Sequence, residues 1–189
     1  MESFDRAIAV YTEGAVFTAF DIETTGLEPK RDRIVEFGAV KFDRRGLIAR
    51  YSVLIDPGIP MPPEAGRVNG ITDGMLAGQP PIGEVLPDFL RFIEGTVIVA
   101  HNAPFDCGFV NENLARLYRA GGVSFPALPN KIADTLLLAR RIFAGREHYS
   151  LQSLASDLGI KTRTAHRALD DARLCMELFT HCCCKAASV

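Results

Sequence analysis

Several things are scarce in this sequence, and each scarcity removes a class of answer. Positive charge is not in excess: 21 Lys and Arg against 23 Asp and Glu leave a formal net charge of −2, with a pI near 6.1. A protein that grips long nucleic acid by charge alone is basic. Any nucleic-acid role here therefore rests on a local site, where bound metal cations can supply the missing positive charge. Cysteine is limited to five residues, an odd number with no CxxC or CxxH spacing. That pattern argues against a disulfide framework and a zinc finger. The run Cys182 to Cys184 reads as a frayed tail of free thiols rather than a soft-metal site, and free thiols suit a reducing cytoplasm. No apolar run approaches the ~20 residues that span a bilayer. The start Met1-Glu2-Ser3-Phe4-Asp5 is no signal peptide. A cytoplasmic protein with no membrane partner is expected. No repeat or low-complexity linker divides the 189 residues. One domain is therefore expected over 1–189, with its core at about 15–180, a size that buries a full core unaided.

What the sequence does contain is an alternation of β-prone and helical segments. Ala15 to Ile22 is an apolar run that predicts a buried strand. Arg33 to Phe42 and Ile48 to Ile55 alternate in part around the polar turn Asp43-Arg44-Arg45-Gly46, so the first three strands form an antiparallel meander. Pro60 to Gly78 reads as a long irregular connection. Pro81 to Glu94 has helical spacing, with Pro87 marking a kink or a late start. Thr96 to Ala100 suits a central strand covered on both faces. Helices follow at Pro104 to Ala120, Ile132 to Phe143, Ser150 to Leu158 and Ala165 to Thr180. The sum is an α/β domain built on a mixed sheet.

The chemistry starts at Phe20-Asp21-Ile22-Glu23-Thr24-Thr25-Gly26. Asp21 and Glu23 stand two apart on a strand, so both side chains leave the same face. Adjacent acids repel, and they are tolerable beside a buried sheet when a hard cation sits between them. An isolated DxE is usually a solvated strand end, but this strand is otherwise apolar, and ligands of α/β sheets bind at the C-terminal ends of strands. Asp106, in His101-Asn102-Ala103-Pro104-Phe105-Asp106, falls in the first turn of a helix, where the dipole alone would favour an acid. The third group is Ala165-His166-Arg167-Ala168-Leu169-Asp170-Asp171. Helical spacing pairs His166 with Asp170. That pairing lapses if His166 precedes the helix, so the spacing does not decide between Asp170 and Asp171.

Together these segments resemble the DnaQ-like exonucleases, the DEDDh branch of the RNase H-like fold, from about Phe17 to about Phe179. Asp21 and Glu23 in FDIETTG match the first motif, Asp106 in HNAPFD the second, and His166 with Asp171 in HRALDDA the third. Three motifs in order are far more specific than one. The resemblance extends to the proofreading epsilon subunits of bacterial DNA polymerase III. It implies that Asp21, Glu23, Asp106 and Asp171 hold two divalent ions, Mg²⁺ or Mn²⁺, and leaves Asp170 a bystander. It implies that Thr25, Gly26, Leu27, Asn69 and Asn102 contact the substrate, with Leu27 wedged against the terminal base. Asn69 stands where the family often has histidine. A single-stranded nucleic-acid 3′ end, DNA before RNA, is the implied partner. The polymerase III alpha subunit is a candidate second partner, although no separate polymerase-binding tail is expected. Oligomeric state is not legible.

The mechanism fits on physical grounds as well. Two metals about 4 Å apart activate a water and stabilise the leaving oxygen. His166, with an unperturbed pKa of about 6.5, suits a general base. Lys161, Arg163, Arg167, Arg140, Arg141 and Arg146 could reach phosphates or could simply be solvated charges. Three rival readings are open to the same residues. An aspartate-nucleophile phosphatase leaves His166 and Asp171 unexplained. A non-catalytic polymerase-associated module has no reason to keep the acids. An exoribonuclease would share the same catalytic core and differ in contacts to the 2′-OH.

Overall fold

The computed structural model describes residues 4–162 and 167–187. Its centre is a five-stranded sheet in the order β3-β2-β1-β4-β5. β1 (Phe17–Thr24), β2 (Ile34–Asp43) and β3 (Gly46–Leu54) form the expected antiparallel meander. β4 (Val97–Ala100) adds parallel to β1, and β5 (Ile132–Asp134) parallel to β4. The mixed α/β architecture is thus present.

Each face of the sheet is covered by helices because β1 and β2 are apolar on both sides. On one face, Phe17, Ala19, Val40 and Phe42 pack under α1 (Phe4–Thr12), α6 (Thr135–Ile142), α7 (Leu151–Asp157) and α8 (Ala168–Ala186). Tyr11, Phe17, Phe42 and Phe179 form an aromatic knot there, with ring centroids 5.0 to 6.4 Å apart. On the other face, Phe20, Ile22, Phe37 and Ala39 pack under α4 (Ile82–Ile93) and α5 (Ala103–Arg119).

Four expectations need correction. The connection at 60–78 is not irregular: it holds α2 (Pro63–Asn69) and α3 (Asp73–Leu76), whose Leu76 joins Met61, Ile71 and Val35 in a small third core. α4 does not start late at Pro87. It begins at Ile82 and runs through the proline, held by buried Val85, Leu86, Phe89 and Ile93. The segment from Ile132 is not helical throughout. Its first three residues are β5, too short to break the apolar pattern of the helix that follows. The Cys182–Cys184 run is no frayed tail. α8 continues to Ala186, and Cys175, Leu178, Phe179, Cys182 and Cys183 recur at helical spacing on its buried face. Cys182 and Cys183 are buried free thiols, and only Cys184 is exposed. α1 lies before the first expected strand and adds Ala7 and Tyr11 to the same core.

Candidate active site

β1 delivers Asp21 and Glu23 to the face that α8 crosses. Their neighbours across the ladder are Gly38 and Glu36 on β2. Gly38 has no side chain, and that absence matters: a Cβ there would lie 2.0 Å from the backbone carbon of Ala168. The first turn of α8 therefore rests directly on the strand. Asp171 is carried down onto the same spot and is buried. Carboxylate oxygens of Asp21, Glu23 and Asp171 all lie within 4.8 Å of one another. Asp170 is not in this group.

Three acids so close, partly out of water, disfavour their own ionisation. Asp21 is raised well above the ordinary carboxylate range, first by burial and then by the charges of Asp106, Glu23, Asp171 and Glu36. Glu23 is raised to about 7 by burial and by Asp171 and Glu36, partly offset by a hydrogen bond from Asn69 and by Arg167. Asp106 is raised to about 8, chiefly by burial, although the backbone amide of Ile22 donates to it. It stands beside Asp21 but outside the three-carboxylate group. This donor set fits hard divalent cations, which take oxygen ligands and neutralise the clustered charge.

The cluster opens into a cleft of about 780 Å³. Its other walls come from the strand-to-helix turn at His101 and Asn102, from Leu136 and Arg140 on α6, and from residues 147–153. Asn102 is in the left-handed region, φ 66°, the only non-glycine there among the described residues. Asp134 holds that turn: its carboxylate accepts from the amides of Asn102 and Ala103, each at 3.1 Å, and from Leu136 at 2.8 Å. His101 is pinned between the Thr135 hydroxyl at 3.0 Å and the Tyr149 carbonyl at 2.9 Å, and burial lowers its pKa. These two contacts make it a scaffold for the 147–153 wall.

The remaining expected residues fall in several places. His166 and Arg163 lie outside the described residues. Thr25 is buried, and its hydroxyl accepts from the amide of Arg33 at 2.9 Å. Gly26 faces the Asp32 carboxylate, which a Cβ would strike at 2.4 Å. Leu27 projects beyond them, 80% exposed. Asn69 is buried, with its amide aimed at Glu23 and at the Thr24 carbonyl 3.5 Å away, so it orients a site acid. Of these, Asn102 lines the cleft, whereas Thr25, Gly26, Leu27 and Asn69 flank it beyond Glu23. Among the basic residues, Arg140 lines the cleft. Arg141 pairs with Asp5, Arg146 with Asp157 and Arg167 with Glu36.

The family of proteins described as exonucleases of the RNase_T type has a model that matches residues 18–179, almost the whole chain. The chain belongs to this exonuclease family. It is a DnaQ-like 3′→5′ exonuclease of the DEDDh type, and the family is divalent-metal dependent. The exonuclease is 49% identical to the DNA polymerase III subunit epsilon of Treponema pallidum, over 94% of this chain and 80% of that one. It is 36% identical to the Aquifex aeolicus epsilon subunit, over 86% and 78%. The PolC-type DNA polymerase III of Clostridium perfringens is 39% identical over 86% of this chain, which spans 11% of that much longer protein. Among solved structures, exonuclease X in complex with 5′ overhanging duplex DNA superposes with a TM-score of 0.70 at 28% identity, covering 88% of this chain and 90% of the other. Exonuclease I in complex with a dT13 oligonucleotide gives 0.74 at 20% identity, over 88% and 40%, a likeness of fold. Among the described residues no helix is long and apolar enough to cross a membrane.

Four residues that matter at this site escaped the sequence reading. Glu36 and Gly38 were visible as an acid and a glycine inside an apolar strand, the same signal that singled out Asp21. Asp134 fell inside the segment expected to be one helix from Ile132 to Phe143. Gln152, which donates to Asp171 at 3.1 Å, has no sequence signal at all because α7 meets α8 only in the folded chain.

Proposed function

We propose that the exonuclease removes nucleotides from the 3′ end of single-stranded DNA as the proofreading partner of a cytoplasmic DNA polymerase III. One observation carries this reading: the three carboxylates of Asp21, Glu23 and Asp171 meet within 4.8 Å at the floor of an open cleft. The epsilon relatives support DNA as the substrate and the polymerase alpha subunit as the partner.

Asp21, Glu23 and Asp171 would hold the catalytic divalent ion, Mg²⁺ or Mn²⁺. Asp106 would support a second ion beside Asp21, directly or through water. When bound, such ions lower the pKa of an attacking water and neutralise charge on the departing 3′ oxygen. His166 takes the proton of that water as general base, and the product is a nucleoside 5′-monophosphate. Leu27, exposed to solvent, wedges against the terminal base. Gln152 and Asn69 keep Asp171 and Glu23 in place.

The test is parallel digestion of matched DNA and RNA oligomers with Mg²⁺ or Mn²⁺, followed by paired and mispaired 3′ ends. Faster hydrolysis of DNA, and of mispaired ends, is expected. Preference for RNA would transfer the site to an exoribonuclease role.

A further inference from the structure

The cleft runs on past the carboxylates, and its far part carries a positive group to which the chemistry above gives no role. Leu136 and Arg140 stand four apart on α6, so both face the cleft. The Asp134 carboxylate ties the start of α6 to the turn at Asn102. Arg140 lies about 6 Å further along the helix than Leu136, at a rise of about 1.5 Å per residue. Among the described residues that line the cleft it is the one arginine or lysine, against the acids Asp21, Glu23, Glu147 and Asp171.

The surroundings of Arg140 hold it ready. Its guanidinium lies over the Tyr149 ring, 5.9 Å from the centroid. That ring is itself fixed. The Tyr149 hydroxyl donates to the Phe143 carbonyl at 2.8 Å and accepts from the Arg146 amide at 3.2 Å, and the Tyr149 carbonyl accepts from Nε2 of His101 at 2.9 Å. Nearby arginines are taken up, Arg141 by Asp5 and Arg146 by Asp157, and Glu147 lies 3.8 Å from His148. The Arg140 guanidinium has no hydrogen bond or ion pair among the described residues. A guanidinium on an aromatic face keeps its N–H edge for a two-pronged grip on phosphate.

The path of a strand brings phosphate to it. Thr25, Gly26, Leu27 and Asn69 flank Glu23 outside the cleft. A strand with its 3′ nucleotide there and its scissile phosphate at the acids leaves along the cleft, past Arg140. We infer that Arg140, braced on Tyr149, binds a phosphate upstream of the scissile bond and is a substrate-binding residue remote from the carboxylates. The inference rests on the reading of the site as one that shortens a single strand from its 3′ end.

The experiment measures kcat, KM and the salt dependence of KM for release of the first nucleotide from a labelled single-stranded DNA oligomer. One neutral methylphosphonate linkage is moved from the second to the sixth linkage from the 3′ end, in the parent and in Arg140→Gln. Arg140→Gln should raise KM roughly 3- to 10-fold, between the worth of an exposed ion pair and that of a charge-assisted hydrogen bond. Its kcat should stay within about threefold, since the contact is shared by ground and transition states. The slope of log KM against log salt should be shallower by about 0.7, the single-strand value for one phosphate. In the parent, the neutral linkage should raise KM by a similar factor at one position or two adjacent ones, and in Arg140→Gln that position should no longer matter. Arg140→Lys should keep the salt slope and lose part of the affinity. Equal losses in both enzymes at every linkage would overturn the inference, as would coupling spread evenly along the strand or an unchanged salt slope. A parent that releases a 3′ nucleotide but shows no coupling rejects Arg140 alone. A parent that releases none rejects the reading of the site and this inference with it.

Discussion

The two ends of β1 face opposite problems. At its start, Phe17 sits in a knot of Tyr11, Phe42 and Phe179 rings, fully buried and self-consistent. At its finish, Asp21 and Glu23 face Asp171 and Glu36, and burial and mutual repulsion raise their pKa values. The same helix, α8, closes both: Phe179, Cys182 and Cys183 lock its far part, and Asp171 is held near its first turn. The apolar end stabilises the fold, while the acidic end costs stability until a cation arrives. A strand can carry such a conflict because its partner helix is anchored two and three turns away.

The comparison can be broken at the acidic end first. Asp21→Asn should reduce exonuclease turnover by roughly 10³-fold or more, as loss of one member of a catalytic set does. The metal-free protein should melt no lower than the parent, since a buried charge has gone. Retained activity in excess Mg²⁺ would move the metal elsewhere.

Gly38→Ala attacks the junction between the two ends. Its new Cβ meets the Ala168 backbone, which cannot yield as a side chain would. Overpacking of this kind costs about 1–3 kcal/mol. Turnover should drop roughly 10²-fold through displacement of the α8 start. Unchanged kinetics would show that the helix slides without consequence.

Phe179→Ala breaks the apolar end. A loss of about 3–5 kcal/mol is expected by chemical denaturation. The kcat of the fraction still folded should change only a few-fold. A collapse of kcat in folded protein would mean that the two ends are not separable.

The smallest effect sharpens the contrast by pH. Glu23 and Asp106 bind protons up to about 7 and about 8 in the folded chain. They release them near 4 when unfolded, as ordinary carboxyls do. Between those limits the native state holds more protons, so the stability of the metal-free protein falls as pH rises from about 4 to about 8. The melting temperature should drop across that window, and saturating Mg²⁺ should remove the slope. A metal-free melting temperature that rises from pH 5 to 8 would contradict the raised carboxyls.

Much of this was legible in the linear chain. Asp21, Glu23 and Asp106 stood out because acids at the ends of apolar strands, or just past them, are conspicuous, and the meander was marked by the polar turn at Asp43 to Gly46. Short elements were not legible: β5 merged with α6, and α2 and α3 hid among prolines and glycines. The buried face of α8 through Cys183 was readable at helical spacing, but three successive cysteines masked it.

The sequence alone determined the alternation of apolar strands and helices, the acids that punctuate them and the family they mark, because each is a local pattern of residue type and spacing. Only the tertiary structure decided that Glu36 is taken up by Arg167, that Asn69 serves Glu23 and that Gln152 serves Asp171. These pairings depend on where α8, α7 and α2 come to rest on the sheet. That resting place is set by packing, above all by the bare backbone of Gly38, which no spacing rule along the chain encodes.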